Sequence, residues 1–159
     1  MTPSTPSLPT DRLAVGQLLV RLLHQFRTTL FDSVEGTEFA DLRFAHNQIW
    51  GNVGIDGIRL TELANKANLS LAACSELVNE LQSLGYLERQ PDPADGRAKL
   101  IFPTRRGRRL LDAAGERVAE LEAEWRAHLP AGEFDRACRA LDRLLQATEA
   151  GRGSAPSTS

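Results

Sequence analysis

Two cysteines in 159 residues, Cys74 and Cys138, are too few and too far apart for a disulfide framework, and a reducing cytoplasm is the simpler setting. No run of about 18 apolar residues occurs, so no membrane-spanning helix and no membrane partner are expected. The start, MTPSTPSLPT, has no basic stretch followed by an apolar one, which argues against a secretory signal. His24, His46 and His128 are scattered, and a structural metal site needs about four ligands, so no metal is expected. There is no G-x-S-x-G, P-loop, H-E-x-x-H or C-x-x-C, which leaves an enzymatic role and a cofactor without support. A large excess of one charge is also missing. Lys plus Arg number 19 against 21 Asp plus Glu, a net charge of −2, so the strongly basic total of many nucleic-acid binders is absent.

What remains is ordinary globular material, 42% apolar and 25% charged, enough for one core in one domain. Pro, Ser and Thr crowd residues 1–10 and Gly, Ser and Pro residues 151–159, so both read as disordered tails around a body at 11–150. Leu18, Leu22, Phe26 and Leu30 recur every four residues in a helix that Asp11 can cap and that runs to about Ser33. A helix near Leu42–Asn52 follows, broken by Gly51, Gly54 and Gly57. Ile58–Leu60 is a short extended piece, and Thr61 is a cap for the next helix. Ser70 is a cap candidate for a helix over about Leu71–Leu84. There Cys74, Leu77, Val78, Leu81 and Leu84 share one face, and Ala72, Ser75, Glu76, Asn79 and Ser83 lie opposite. Gly85 is a stop signal.

The period then changes to that of strands. Tyr86–Arg89 and Ala98–Phe102 flank the dense turn signal Pro91–Gly96, a hairpin that must lean on the helices before it. Thr104 caps a long helix to about Leu129, in which Leu111, Ala114, Val118, Leu121 and Trp125 step by heptad spacing. A last helix repeats that spacing at Phe134, Cys138, Leu141, Leu145 and Thr148. Cys74 and Cys138 both read as packing residues on apolar seams.

Helix, turn, helix and hairpin over Ile58–Phe102 make a winged helix-turn-helix, a mainly α fold with a small β-hairpin wing. The geometry presents the second helix to a DNA major groove about 12 Å wide, and its outward face should be small and polar, as Ala72, Ser75 and Asn79 are. The charges are unevenly placed. Glu88–Arg109 holds seven basic and three acidic residues, whereas Leu110–Ala150 holds five basic and nine acidic. A basic wing beside an acidic arm is hidden in the near-neutral total of −2. Arg97 at the hairpin tip is short enough in its loop to enter a narrow, electronegative minor groove, with Asp95 placed to orient the guanidinium. Arg105, Arg106, Arg108 and Arg109 put four cations in a first helical turn, against the helix dipole, and nearby phosphates would account for that cost.

The string Asp92-Pro93-Ala94-Asp95-Gly96-Arg97-Ala98-Lys99-Leu100-Ile101-Phe102-Pro103-Thr104-Arg105-Arg106-Gly107 resembles the wing and following helix of MarR-family (multiple antibiotic resistance regulator) transcription factors. Leu60–Ala64 and Leu81–Arg89 resemble the helix-turn-helix before it. The match covers about Ile58–Gly107, with Pro103 standing where the family usually has Leu. The resemblance implies a homodimer interlocked by N- and C-terminal dimerisation helices (about 11–34 and 104–150), with a DNA-binding part at about 42–103. It also implies repression of a pseudo-palindromic operator, relieved by a small molecule. The DNA-contacting residues expected are Ser70, Ala72, Ser75, Glu76, Asn79, Arg97, Lys99 and Arg105. Arg43, His46 and Trp50, at i, i+3 and i+7, are candidates for a pocket taking a small aromatic or anionic effector. Glu76 and Glu80, in a helix with no Lys or Arg, keep an alternative open: a winged-helix protein-interaction module that does not read DNA.

Overall fold

The computed structural model describes residues 7–153. Most of both expected tails lies outside them, although the last helix runs to Gly153 and so takes in the first residues of the expected C-terminal one. The chain divides into two compact units, Met1–Arg117 and Val118–Ser159.

The first unit begins with α1 (Val15–Asp32), which has no buried residue. Ala14 rather than Asp11 is its N-cap, and Gln17 Oε1 accepts the Ala14 N–H at 3.1 Å. The helix expected at Leu42–Asn52 is reduced to a 3₁₀ turn (Phe44–His46) and α2 (Asn47–Trp50), because the glycines after Trp50 do not sustain helix. β1 (Ile58–Arg59) leads directly into α3 (Leu60–Ala67). The latter starts one residue before the expected Thr61 cap, with extended Arg59 as N-cap. Asn68 ends α3 in the left-handed region at φ 54°, which asparagine tolerates better than most side chains. α4 (Leu71–Ser83) follows, and Ser70 is its cap as expected, its Oγ accepting the Ala73 N–H at 3.1 Å.

β2 (Leu87–Asp92) and β3 (Asp95–Pro103) form the wing. Both strands reach further into the turn signal than the sequence suggests, leaving only Pro93 and Ala94 as the turn. β1 joins them in an antiparallel sheet of order β1-β3-β2. Pro91, which lacks an N–H, is tolerated because β2 is an edge strand. The core is one apolar cluster that includes Ile49, Leu63, Cys74, Val78, Leu81, Tyr86, Leu87, Ile101 and Leu110. It therefore links α2, the helix-turn-helix, the wing and the start of α5 (Arg105–Ala127). α5 is capped by Thr104, whose Oγ1 accepts the Gly107 N–H at 3.1 Å and donates to the carbonyl of Gly85 at 2.6 Å.

The second unit takes the remainder of α5 and α6 (Glu133–Gly153), joined by a turn with Gly132 at φ 74°. Arg126 crosses that turn, with its guanidinium 4.8 Å from the Phe134 ring centre and 3.2 Å from Asp135. Among the described residues, no helix is long and apolar enough to cross a membrane.

Gly107 is the tightest joint. A Cβ there would lie 2.2 Å from the Tyr86 carbonyl oxygen, a backbone atom with no rotamer to yield. Gly107→Ala is expected to destabilise the protein by about 1–3 kcal/mol, the range of overpacked cores. Urea unfolding measures this, and an unchanged midpoint would contradict the packing described.

Candidate nucleic-acid interface

α4 is amphipathic in the manner its sequence requires. Cys74, Val78 and Leu81 are fully buried, and Ala72, Glu76 and Asn79 are exposed, with Ser75 half-buried between them. Burial pushes the Cys74 thiol pKa up, which disfavours the reactive thiolate and fits its packing role. Cys138 on α6 is exposed.

The two acids of α4 differ. Glu76 is exposed, whereas Glu80 is held by two partners from the segment before α2. The Arg43 guanidinium donates to Glu80 Oε2, and His46 Nε2 lies 2.9 Å from the same oxygen. His46 is itself buried, and its Nδ1 accepts the Arg43 backbone N–H at 3.0 Å, so the ring donates from Nε2. The hydrogen bonds from Arg43 and then His46 hold the Glu80 carboxyl below its usual range. Arg43 and His46 therefore come together, but not on one helix, since Arg43 precedes the 3₁₀ turn. Trp50 does not join them. It is 8% exposed, packs edge-on against Tyr86 with ring centres 5.8 Å apart, and its indole nitrogen has no partner among the described residues. Three residues at i, i+3 and i+7 share a face only in unbroken α-helix, and here the helix is interrupted.

Arg43 and His46, together with Ala72, Ser75, Glu76, Asn79 and Glu80 of α4, line one open cleft of about 740 Å³. The face expected to meet DNA and two of the three residues expected to meet an effector thus border the same space.

The wing is braced from β1. Arg59 donates to Asp92 from Nε at 3.0 Å and also from Nη2, and Asp92 Oδ1 accepts the Ala94 N–H at 2.8 Å. Asp92 is buried, and the Arg59 hydrogen bond, followed by that of Ala94, holds its carboxyl below the ordinary range. At the tip Arg97 is exposed. Asp95 does not orient its guanidinium as expected. The carboxylate instead accepts the Arg97 backbone N–H at 3.2 Å, the short-range bond that aspartate makes in turns.

The arginines that open α5 fall into two sets. Arg106 donates to the carbonyls of Leu84 and Glu38, each at 2.7 Å, pairs with Asp41, and lies 4.2 Å from the Tyr86 ring centre. Arg109 forks onto Glu38 at 3.1 and 2.7 Å. Arg105 and Arg108 are exposed, and like Lys99 and the Arg97 guanidinium they have no side-chain partner among the described residues. Glu38, Asp41, Arg59 and Arg89 were missed as architectural partners from the sequence. Their counterparts lie 7 to 71 residues away on other elements, where local spacing carries no signal.

A MarR family model matches residues 51–98. An HTH-type transcriptional regulator of Bacillus subtilis strain 168, the uncharacterized YybA, is 28% identical over 96 residues, 57% of this chain. The match spans 64% of that relative's length. Among solved structures, FabT of Streptococcus pneumoniae in complex with DNA superposes with a TM-score of 0.69 at 16% identity, covering 86% of this chain and 96% of FabT. CouR of Rhodococcus jostii RHA1, bound to p-coumaroyl-CoA, gives 0.68 at 26%, covering 84% and 90%.

The carboxylates of Glu38, Glu80 and Asp92 carry folded-state pKa values below their unfolded ones. Such groups stabilise the fold above the unfolded values, 4.5 for Glu and 3.8 for Asp, and lose that contribution as pH falls through the depressed folded values. Thermal melts should therefore show a midpoint that drops below about pH 4.5. Asp92→Asn should lower the midpoint at pH 7 and shrink the acid-induced drop. An acid limb identical to that of the parent protein would refute the brace.

Proposed function

We propose that this chain, a winged-helix protein similar to the MarR family over residues 51–98, is a homodimeric, sequence-specific DNA-binding transcriptional regulator. The observation that carries the reading is the sorting of the cations. Arg43, Arg59, Arg89, Arg106 and Arg109 are used inside the fold, whereas Arg97, Lys99, Arg105 and Arg108 on the wing and the first turn of α5 are left to solvent. Four unpaired cations beside a small, polar helix face are what phosphate contact and groove entry require. Ser70, Ala72, Ser75, Glu76 and Asn79 belong to the base-facing side in this reading, and Arg97, Lys99 and Arg105 to the phosphate or minor-groove side. FabT provides a DNA-bound example of the same fold.

The dimer rests on apolar surface that one copy leaves open. Leu18, Leu19, Leu22 and Leu23 are exposed on α1, as are Leu141, Leu144 and Leu145 on α6. Exposed apolar residues gathered on one helix face mark protein interaction sites. A two-fold dimer would bind a pseudo-palindromic operator with half-sites about 10 base pairs apart. We assign repression, relieved by a small anionic or aromatic effector of which CouR's p-coumaroyl-CoA is one example. Such an effector would compete with Glu80 for Arg43, in the cleft that α4 also borders. Its binding and that of DNA would then be linked through the population of the DNA-competent form.

Fluorescence anisotropy with the duplex upstream of the chain's own gene tests this. Log K should fall steeply with log salt. Arg97→Ala should weaken binding and reduce the slope by about one, as the loss of one phosphate contact does, whereas Arg109→Ala should leave the slope in place. A flat salt dependence with only millimolar affinity would favour the protein-interaction module.

A further inference from the structure

Arg89 of β2 reaches across to α4 and donates from Nη1 to Asn79 Oδ1 at 2.8 Å and to Gln82 Oε1 at 2.7 Å. A guanidinium has donors only, so the Asn79 amide has one chemically sensible orientation: its oxygen faces Arg89 and its NH₂ faces away. Asn79 is exposed and borders the cleft on the outward face of α4, and its Nδ2 has no partner among the described residues. Ser83 Oγ donates to the backbone carbonyl of Asn79, so that contact does not engage the side chain.

This arrangement alters what asparagine can read. The usual base contact of asparagine is bidentate to adenine, with the amide oxygen accepting from N6 and the amide nitrogen donating to N7. Here the oxygen is already bonded to a cation. An adenine amino group would have to approach that same oxygen beside the fixed positive charge of Arg89. An edge made only of acceptors meets no such penalty and gains from the charge. Among the bases, only guanine carries two adjacent major-groove acceptors, O6 and N7, with no donor between them. The two hydrogens of Nδ2 match that edge.

We propose that Asn79 is a specificity-determining residue that reads guanine, and that Arg89 is the positioning residue that holds its oxygen inward beside a positive charge and turns its NH₂ outward. The proposal rests on the DNA-binding role of α4 given above. It assigns Arg89, a cation in the basic wing region, to base selection rather than to phosphate contact.

Selection from a random-sequence duplex pool, followed by sequencing, tests it with the full-length protein. Wild type should enrich one guanine per half-site that depends on Asn79. Asn79→Ala and Asn79→Asp, both at an exposed helical position, should reduce the preference at that base pair by roughly tenfold, the scale of one mismatched pair, and leave the other positions unchanged. Arg89→Met should let adenine in at that same position while the remaining consensus holds, a result that general loosening of the fold would not give. Three results would overturn the assignment: an Asn79-dependent position that is adenine in the wild type, no base position that depends on Asn79, or a uniform loss of preference in Arg89→Met. Failure of the wild type to enrich any sequence would instead remove the DNA-binding reading on which the assignment rests.

Discussion

The environment of Tyr86 is the constraint on which the first unit depends. Its backbone follows Gly85, at φ 78°, and its N–H donates back to the Leu81 carbonyl at 2.9 Å, which turns the chain out of α4. Its carbonyl accepts the Thr104 N–H at 2.9 Å and leaves room for Gly107 and nothing larger. Its ring is fully buried against Trp50 and Phe39, and Arg106 covers it. The hydroxyl donates to Asp41. Burial and the neighbouring Asp41 carboxylate raise the phenol pKa, so the hydroxyl stays a donor across the physiological range. Partial burial raises the Asp41 pKa, but the bonds from Tyr86 and Arg106 outweigh it and keep the carboxyl ionised. One residue, through its backbone and its side chain, thus joins the end of α4, the root of the wing, the first turn of α5 and the segment at 38–41. These contacts fix α4 against the wing.

Around that joint the cations are divided by partner. Arginine suits internal bracing because its planar fork can satisfy carboxylates and carbonyls together, as Arg106 does, or grip both oxygens of one carboxylate, as Arg109 does. Each such pair removes a charge from the surface that DNA would meet. The charge relevant to phosphate binding is therefore set by which arginines remain unpaired, and a count over Glu88–Arg109 overstates it. The same division bears on α4, where Glu80 pairs with Arg43 and accepts a hydrogen bond from His46, and only Glu76 stays without a partner among the described residues.

Much of this was legible in the residues. The order of helices, the Ser70 and Thr104 caps, the Gly85 stop and the inward face of α4 follow from short-range rules of periodicity and capping, and they hold in the structure. The wing motif around Asp95-Gly96-Arg97 carried the family resemblance. The failures also have a common cause. The helix at Leu42–Asn52 was broken by glycine and by a histidine that bonds back to Arg43. Trp50 went to the core because the apolar contacts around Tyr86 outweighed its place beside Arg43.

By itself, the sequence determined the succession of elements, which faces are apolar, and where acid and base accumulate, because those depend on neighbours within a few positions. Only the tertiary structure decided which arginines are consumed in bracing and which face solvent, that Arg43 and His46 share Glu80 while Trp50 does not, and how the Asn79 amide is turned. Each of those outcomes is a competition between partners brought together from distant parts of the chain. Hydrogen bonding and charge pairing act over a few ångströms of space, and separation along the chain says nothing about who will be within that reach.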